Sequence, residues 1–272
     1  MYKRFFAFGC SFTHYHWPTW ADIVAYSYPT AEYYNYGRAG AGNQVAFSRV
    51  MECDERYKFN ENDLVMVQWS NCARQDMWKD QHWIGYGNIY SGSKYSDDFL
   101  TNYASDPYGY TLRDLGYVKA VNHLLASRNV VRFNLSMCSF LIPDQYNYIK
   151  NRVDFTQSTL ITENYKDVLA SIRPGFFETV FKSDWFSRYP RPQTLYQGTE
   201  MLLKDDQHPT PLESLEYLRT VVPELGLDAG IDSVVKAAND QVMSRLNKSL
   251  EPVYLGDRVK RTINDDYYKN IH

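Results

Sequence analysis

Three short apolar runs in the first seventy residues each halt at a corner of small or polar residues, with helical rhythm between them. The first, Phe5-Phe6-Ala7-Phe8, stops at Gly9-Cys10-Ser11. The second, Glu32 to Tyr36, runs into Gly37-Arg38-Ala39-Gly40-Ala41-Gly42-Asn43. The third, Asp63 to Trp69, is apolar enough to be covered on both faces and ends at Ser70-Asn71. After the first run, Pro18 fits a first helical turn, and Trp20, Ile23, Val24 and Ser27 mark a short helix. After the second, Asn43 is expected to cap a helix to about Tyr57, with Val45, Ala46, Arg49, Val50 and Cys53 in rhythm. Strands alternating with helices describe a parallel, doubly wound sheet. The expected fold is therefore α/β: a three-layer α/β/α sandwich on a mostly parallel, flavodoxin-like sheet, with residues 1–272 as one domain.

Residues 74 to 113 lose that rhythm and are rich in Tyr, Trp, Gly, Ser and Asp, which marks them as an insertion. Alternation resumes with a helix from Leu115 to about Ser127 and a strand near Val130 to Met137. A helical stretch is expected around Ile161 to Ile172. Thr210-Pro211-Leu212-Glu213 reads as a capping box with proline at the first helical position. Ile231, Val234, Val235, Ala238, Val242 and Leu246 trace one face of an amphipathic helix within a C-terminal extension of about 230–272. The tail beyond Pro252 is polar.

Composition narrows the function. A formal charge of −3 and scattered basic residues supply no field for nucleic acid or an anionic membrane. The N-terminal apolar run is too short for a signal peptide, and no stretch approaches a membrane span, so a cytoplasmic location is expected. Cys10, Cys53, Cys72 and Cys138 are widely spaced without a CxxC pair, as buried reduced thiols would be. Aromatic residues make up 16% of the chain. Those of the insertion (Trp78, Trp83, Tyr86, Tyr90, Tyr95, Tyr103, Tyr108 and Tyr110) fit either stacking on a glycan or packing within a loop-rich layer or oligomer interface.

Ligands of a doubly wound sheet collect at the carboxyl ends of its strands. Ser11, Gly40 and Asn71 fall at three such ends, and Asp205-Asp206-Gln207-His208 precedes a helix far along the chain. A hydroxyl, two oxyanion donors and a His with an Asp three residues upstream make a complete acyl-transfer set.

These blocks resemble those of the SGNH (GDSL-type) hydrolase superfamily, which carry Ser, Gly, Asn and His in that order. FGCSFT is similar to the first, NYGRAGAGN to the second, VMVQWSN to the third and DDQHPTPLESLEYL to the last. The usual GDS reads Gly9-Cys10-Ser11 here, and the usual GxND reads Trp69-Ser70-Asn71-Cys72. The resemblance implies Ser11 as nucleophile, His208 as base and Asp205 as its orienter, with the Ser11 and Gly40 N–H groups and the Asn71 amide as oxyanion hole. Gly42 is the rival oxyanion donor, Asp206 the rival orienter and Cys10 the rival nucleophile. His14, Arg74 and Trp69 are the candidates for contact with substrate. A metal or other cofactor is not expected, since Cys10, His14 and His16 lack companion ligands and the family's chemistry uses none.

The GCSFT…HPTP form resembles a branch with phage-encoded and surface-polysaccharide-associated members. The expectation is thus a serine esterase acting on a small acyl ester, specifically O-acetyl on a carbohydrate. Its partner would be an acetylated glycan, and virion association or a homo-oligomer is included in the expectation. Two alternatives stand beside it: an O-acyltransferase using the same acyl-serine, and a virion or surface binding protein that keeps the fold without the chemistry.

Overall fold

The computed structural model describes residues 2–80, 82–88, 95–103, 107–141, 157–182, 208–245 and 253–255. Five strands form a central sheet: Arg4–Gly9 (β1), Glu32–Gly37 (β2), Asp63–Trp69 (β3), Val131–Ser136 (β6) and Ile172–Gly175 (β7). Their spatial order is β2-β1-β3-β6-β7, and every neighbouring pair is parallel. Counted along the chain this is the 2-1-3-4-5 order of flavodoxin-like sheets, as expected. A separate antiparallel hairpin, Arg74–Lys79 (β4) and His82–Asn88 (β5), occupies the start of the insertion.

Strand alternation sends side chains to two covers. Phe5, Ala7, Leu64 and Met66 join one cluster with helices Trp20–Ser27 (α1), Pro211–Val221 (α7) and Ile231–Arg245 (α8). Phe6, Phe8, Val65 and Val67 join the other with Asn43–Tyr57 (α2) and Pro107–Ser127 (α4). The result is the three-layer sandwich.

Much of the aromatic excess is spent here. Phe5, Phe6 and Phe8 stack on their register partners Tyr33, Tyr34 and Tyr36, with ring centroids 5.3, 4.6 and 5.4 Å apart. Cross-strand aromatic pairs add about 0.5–1.5 kcal/mol each beyond their burial. At the amino edge, Arg4 makes a two-pronged contact with its register partner Asp63, 2.7 Å at each prong, which pins β1 against β3.

Several local expectations need correction. Pro18 lies outside its helix, which begins at Trp20 after Thr19 as N-cap. Asn43 does not cap α2; Gly42 holds the cap position, while the Asn43 side chain reaches Ser70. Helix α4 begins at Pro107 rather than Leu115; Gly109 in its first turn lowers the helical propensity of that stretch and hid the start. The insertion contains β4, β5 and a short helix, Asp97–Tyr103 (α3). The helix expected over Ile161 to Ile172 is two, Gln157–Asn164 (α5) and Lys166–Ala170 (α6), and Ile172 opens β7. That strand contains Pro174, which an edge position tolerates.

The capping box at α7 forms as read: Thr210 N–H donates to the Glu213 carboxylate at 2.7 Å, and Glu213 N–H to the Thr210 hydroxyl at 3.3 Å. Ile231, Val235, Ala238 and Val242 of α8 are buried, and Leu246 lies outside the described residues. Within the tail, Val253 and Leu255 are buried, and Val253 N–H donates to the His16 carbonyl. All four cysteines are buried and form no disulfide.

Candidate active site

Register decides which loops meet. Gly9 pairs with Gly37, Trp69 with Ser136, and Ser136 with Gly175, so the carboxyl ends of all five strands lie along one edge. The segments carrying Ser11, Gly40 and Asn71 leave the sheet from that edge.

The turn bearing Ser11 is tight. Gly9 has φ +152°, and a Cβ there would lie 2.4 Å from Thr13 Oγ1 and 2.8 Å from the Gln68 carbonyl, so only glycine fits. The Cys10 carbonyl accepts from Thr13 N–H, and the Thr13 carbonyl accepts from the Thr19 hydroxyl and the Asn35 amide. Ser11 is 4% exposed, while Cys10 is wholly buried in the core cluster under α1 and α7.

From 197 residues away, His208 Nε2 lies 2.7 Å from Ser11 Oγ. The imidazole comes from the segment immediately ahead of α7, whose Leu215 and Leu218 are buried in that same cluster. Asp205 and Asp206, the expected and rival orienters, lie outside the described residues.

The two candidate glycine donors differ. Gly42 N–H donates to Asp76 Oδ1 at 2.7 Å, and Val45 N–H to Asp76 Oδ2 at 3.0 Å, so a β4 carboxylate caps α2 from outside. Gly40 takes the left-handed φ of +74°, and among the described residues its N–H has no acceptor. Asn71 is 2% exposed; its Oδ1 accepts from Ala73 N–H at 2.7 Å, and this turns its NH₂ toward Cys138 Sγ, 3.8 Å away. Burial holds the Cys138 thiol well above its ordinary pKa, so the amide has a neutral neighbour.

The remaining candidates separate. Trp69 is not exposed to a substrate: strand alternation puts it with Val65 and Val67, completely buried, its indole N–H donating to Asn134 Oδ1 at 3.0 Å. Arg74 is 9% exposed and donates to the Ala41 carbonyl at 3.0 Å, which ties it to the Gly40 loop. His14 is exposed and its backbone and Cβ stand against Gly37. Of the insertion aromatics, Tyr108 belongs to the core, whereas Trp78 is 48% exposed and meets Trp83 edge-to-face. Tyr90 and the side chains of Tyr86 and Tyr103 lie outside the described residues.

Sequence reasoning missed the braces. Asn43 exchanges bonds with Ser70 N–H and carbonyl and donates to Asp114 Oδ2 at 2.7 Å. The Ser70 hydroxyl donates to the Ala41 carbonyl, so the second and third loops are stitched together. Burial pushes the Asp114 carboxyl up to about 6 against the pull of Arg113, its hydrogen-bonded partner; burial likewise raises Asp76 against its two N–H donors. Tyr15, unremarked in the sequence, stacks on the His208 ring with centroids 3.9 Å apart.

A five-stranded parallel sheet in flavodoxin-like order, with a hydroxyl–imidazole pair at its carboxyl edge, defines the class: a doubly wound α/β protein. No family model matches the chain, and no curated protein matches its sequence. Among solved structures it is similar to a member of the lipolytic protein G-D-S-L family from Veillonella parvula DSM 2008, with 14% identity, 79% of this chain and 96% of that one covered, and a TM-score of 0.41. It is also similar to a putative lipolytic protein of the G-D-S-L family from Desulfitobacterium hafniense DCB-2, with 16% identity, coverage of 80% and 99%, and a TM-score of 0.40.

Proposed function

We propose that the chain is a serine esterase of the SGNH type that cleaves a small acyl ester, with O-acetylated carbohydrate as the substrate class. The observation that carries this reading is the 2.7 Å approach of His208 Nε2 to Ser11 Oγ. That is hydrogen-bond reach for a base and the proton it removes.

In the proposed reaction His208 Nε2 accepts the Ser11 proton as Oγ attacks the ester carbonyl. The carbonyl π pair moves to oxygen, where the N–H groups of Ser11 and Gly40 and the Asn71 amide receive it. Collapse breaks the bond to the alcohol, which leaves with the proton held by His208, and the acyl group remains on Ser11. Water then attacks that ester, giving its proton to His208, and the second collapse releases the acid and restores the Ser11 hydroxyl. Asp205 is assigned to the other ring nitrogen. The carbohydrate part of the proposal is supported by Trp78, a 48% exposed aromatic residue on the hairpin whose Gly85 abuts the Gly40 loop.

A fluorophosphonate probe tests the chemistry. Labelling of the native chain, its loss in Ser11→Ala and in His208→Ala, and its retention in Cys10→Ala are the expected results. Labelling that follows Cys10 ends the serine assignment, and an inert folded protein ends the esterase. Release of acetate from an acetylated glycan, with no transfer to an added acceptor sugar, tests the substrate class and hydrolysis against transfer.

A further inference from the structure

The six residues that follow the candidate nucleophile are unusually aromatic, Phe12-Thr13-His14-Tyr15-His16-Trp17, and their placement accounts for it. The Tyr15 ring lies parallel to the His208 imidazole, with centroids 3.9 Å apart and planes 13° from each other. Phe12 meets the same imidazole at 5.6 Å and 61°. Tyr15 is itself braced edge-on by Trp17 at 4.5 Å and by His16 at 5.1 Å. Trp17, 9% exposed, donates its indole N–H to the Pro209 carbonyl at 2.7 Å. One short segment thus carries the hydroxyl and also holds the imidazole, by its face and by the backbone next to it.

We propose that Tyr15 is a positioning residue: it fixes the plane of the His208 imidazole for proton transfer at Ser11 Oγ and shelters the imidazolium formed by that transfer against its π face. The inference rests on the serine-esterase reading. An imidazole with one plane available keeps Nε2 aimed at Oγ, and misaimed proton transfer is costly in rate. The negative face of a phenol ring also attracts the cation present after proton transfer more than the neutral ring present before it, so the contact favours the transition state differentially.

The test combines kinetics with a signal independent of turnover. Tyr15→Leu removes the ring; kcat on p-nitrophenyl acetate is expected to fall roughly 10- to 100-fold with KM changed by less than about twofold. Tyr15→Phe, which keeps the face, is expected to recover kcat to within about threefold. In proton NMR, the Cε1–H resonance of His208, assigned by its disappearance in His208→Gln, is expected to be shifted upfield by the ring current, to stay there in Tyr15→Phe and to move downfield in Tyr15→Leu. A folded Tyr15→Leu protein with the kcat of the native chain overturns the assignment, as does a His208 resonance that Tyr15→Leu leaves in place. A native chain inert to the fluorophosphonate and to esters instead overturns the esterase reading, whatever the resonance does.

Discussion

A single methyl group in the β4–β5 hairpin is expected to disable the proposed oxyanion hole without replacing any residue of it. Gly85 faces Asp76 in the hairpin register, and a Cβ built on it would lie 2.5 Å from the Gly40 carbonyl oxygen, 2.6 Å from the Gly40 carbonyl carbon and 3.0 Å from Ala41 N. All three are backbone atoms, so no rotamer change relieves the overlap. Ordinary contact begins at 3.4 Å, so Gly85→Ala obliges the Gly40 turn and the hairpin to part by about 0.9 Å. The hairpin cannot retreat freely, because Asp76 on the neighbouring strand is bonded to Gly42 and Val45 beyond the same turn. A donor moved by nearly an ångström leaves hydrogen-bonding range of the developing oxyanion, and loss of one such donor costs roughly 10²–10³ in rate. Sharing the movement between both partners sets a floor of about tenfold in kcat, with a stability cost of about 1–3 kcal/mol from overpacking. The assay is kcat on p-nitrophenyl acetate, normalised to the folded fraction from thermal unfolding at a temperature where both proteins are native. A folded Gly85→Ala protein with undiminished kcat refutes the assignment of Gly40 as a donor and the reasoning that the hairpin sets its position.

Three further outcomes are expected. Asn71→Ala should lower kcat by roughly 10²–10³ with little change in KM; kcat within about threefold of the native value removes the amide from the site. Asp114→Asn tests a pH linkage: burial pushes the folded carboxyl up to about 6 from an ordinary 3.8, so its contribution to stability is complete below the unfolded value and is lost as pH rises through the folded one. Urea titrations should therefore show the native chain gaining about 2 kcal/mol over Asp114→Asn between about pH 7.5 and about pH 4.5, and parallel curves contradict this. Gly116→Ala, at an exposed position of α4 where a Cβ meets nothing within 4 Å, should raise the unfolding free energy by about 0.5–1 kcal/mol; a lowered midpoint denies that this glycine only weakens the helix.

What the sequence revealed of the fold followed the strength of its periodic signal. β1, β2 and β3 were legible because each is a dense apolar or aromatic run cut off by a corner that cannot continue a strand. β7 was not, since Ile172-Arg173-Pro174-Gly175 offers one large apolar residue and a proline. It is a strand because an edge needs one ladder only, and because Tyr217 donates its hydroxyl to the Pro174 carbonyl from α7. Pairing partners of that kind belong to the tertiary structure and leave no local trace. The start of α4 was hidden for the opposite reason: buried Tyr108, Thr111 and Asp114 stabilise a turn whose own residues, Gly109 among them, argue against a helix.

The site divides along the same line. Ser11 and His208 stood out because the proposed transfer of a proton from a nucleophile to a base restricts residue type severely, so that chemistry would write its own signal. Bracing restricts it far less: any acceptor near the α2 N-terminus could satisfy Gly42 and Val45, and the fold happens to use a carboxylate from a hairpin 34 and 31 residues further on. Gly85 is the extreme case. In sequence a glycine beside Tyr86 and Gly87 reads as freedom of the backbone, whereas in the structure it is the absence of a Cβ where the carbonyl of another loop already stands. Its φ needs no glycine; only the approach does. Such a residue can be recognised only once the two loops have met, and for that reason the supports of a site built from remote segments are harder to read than the groups they support.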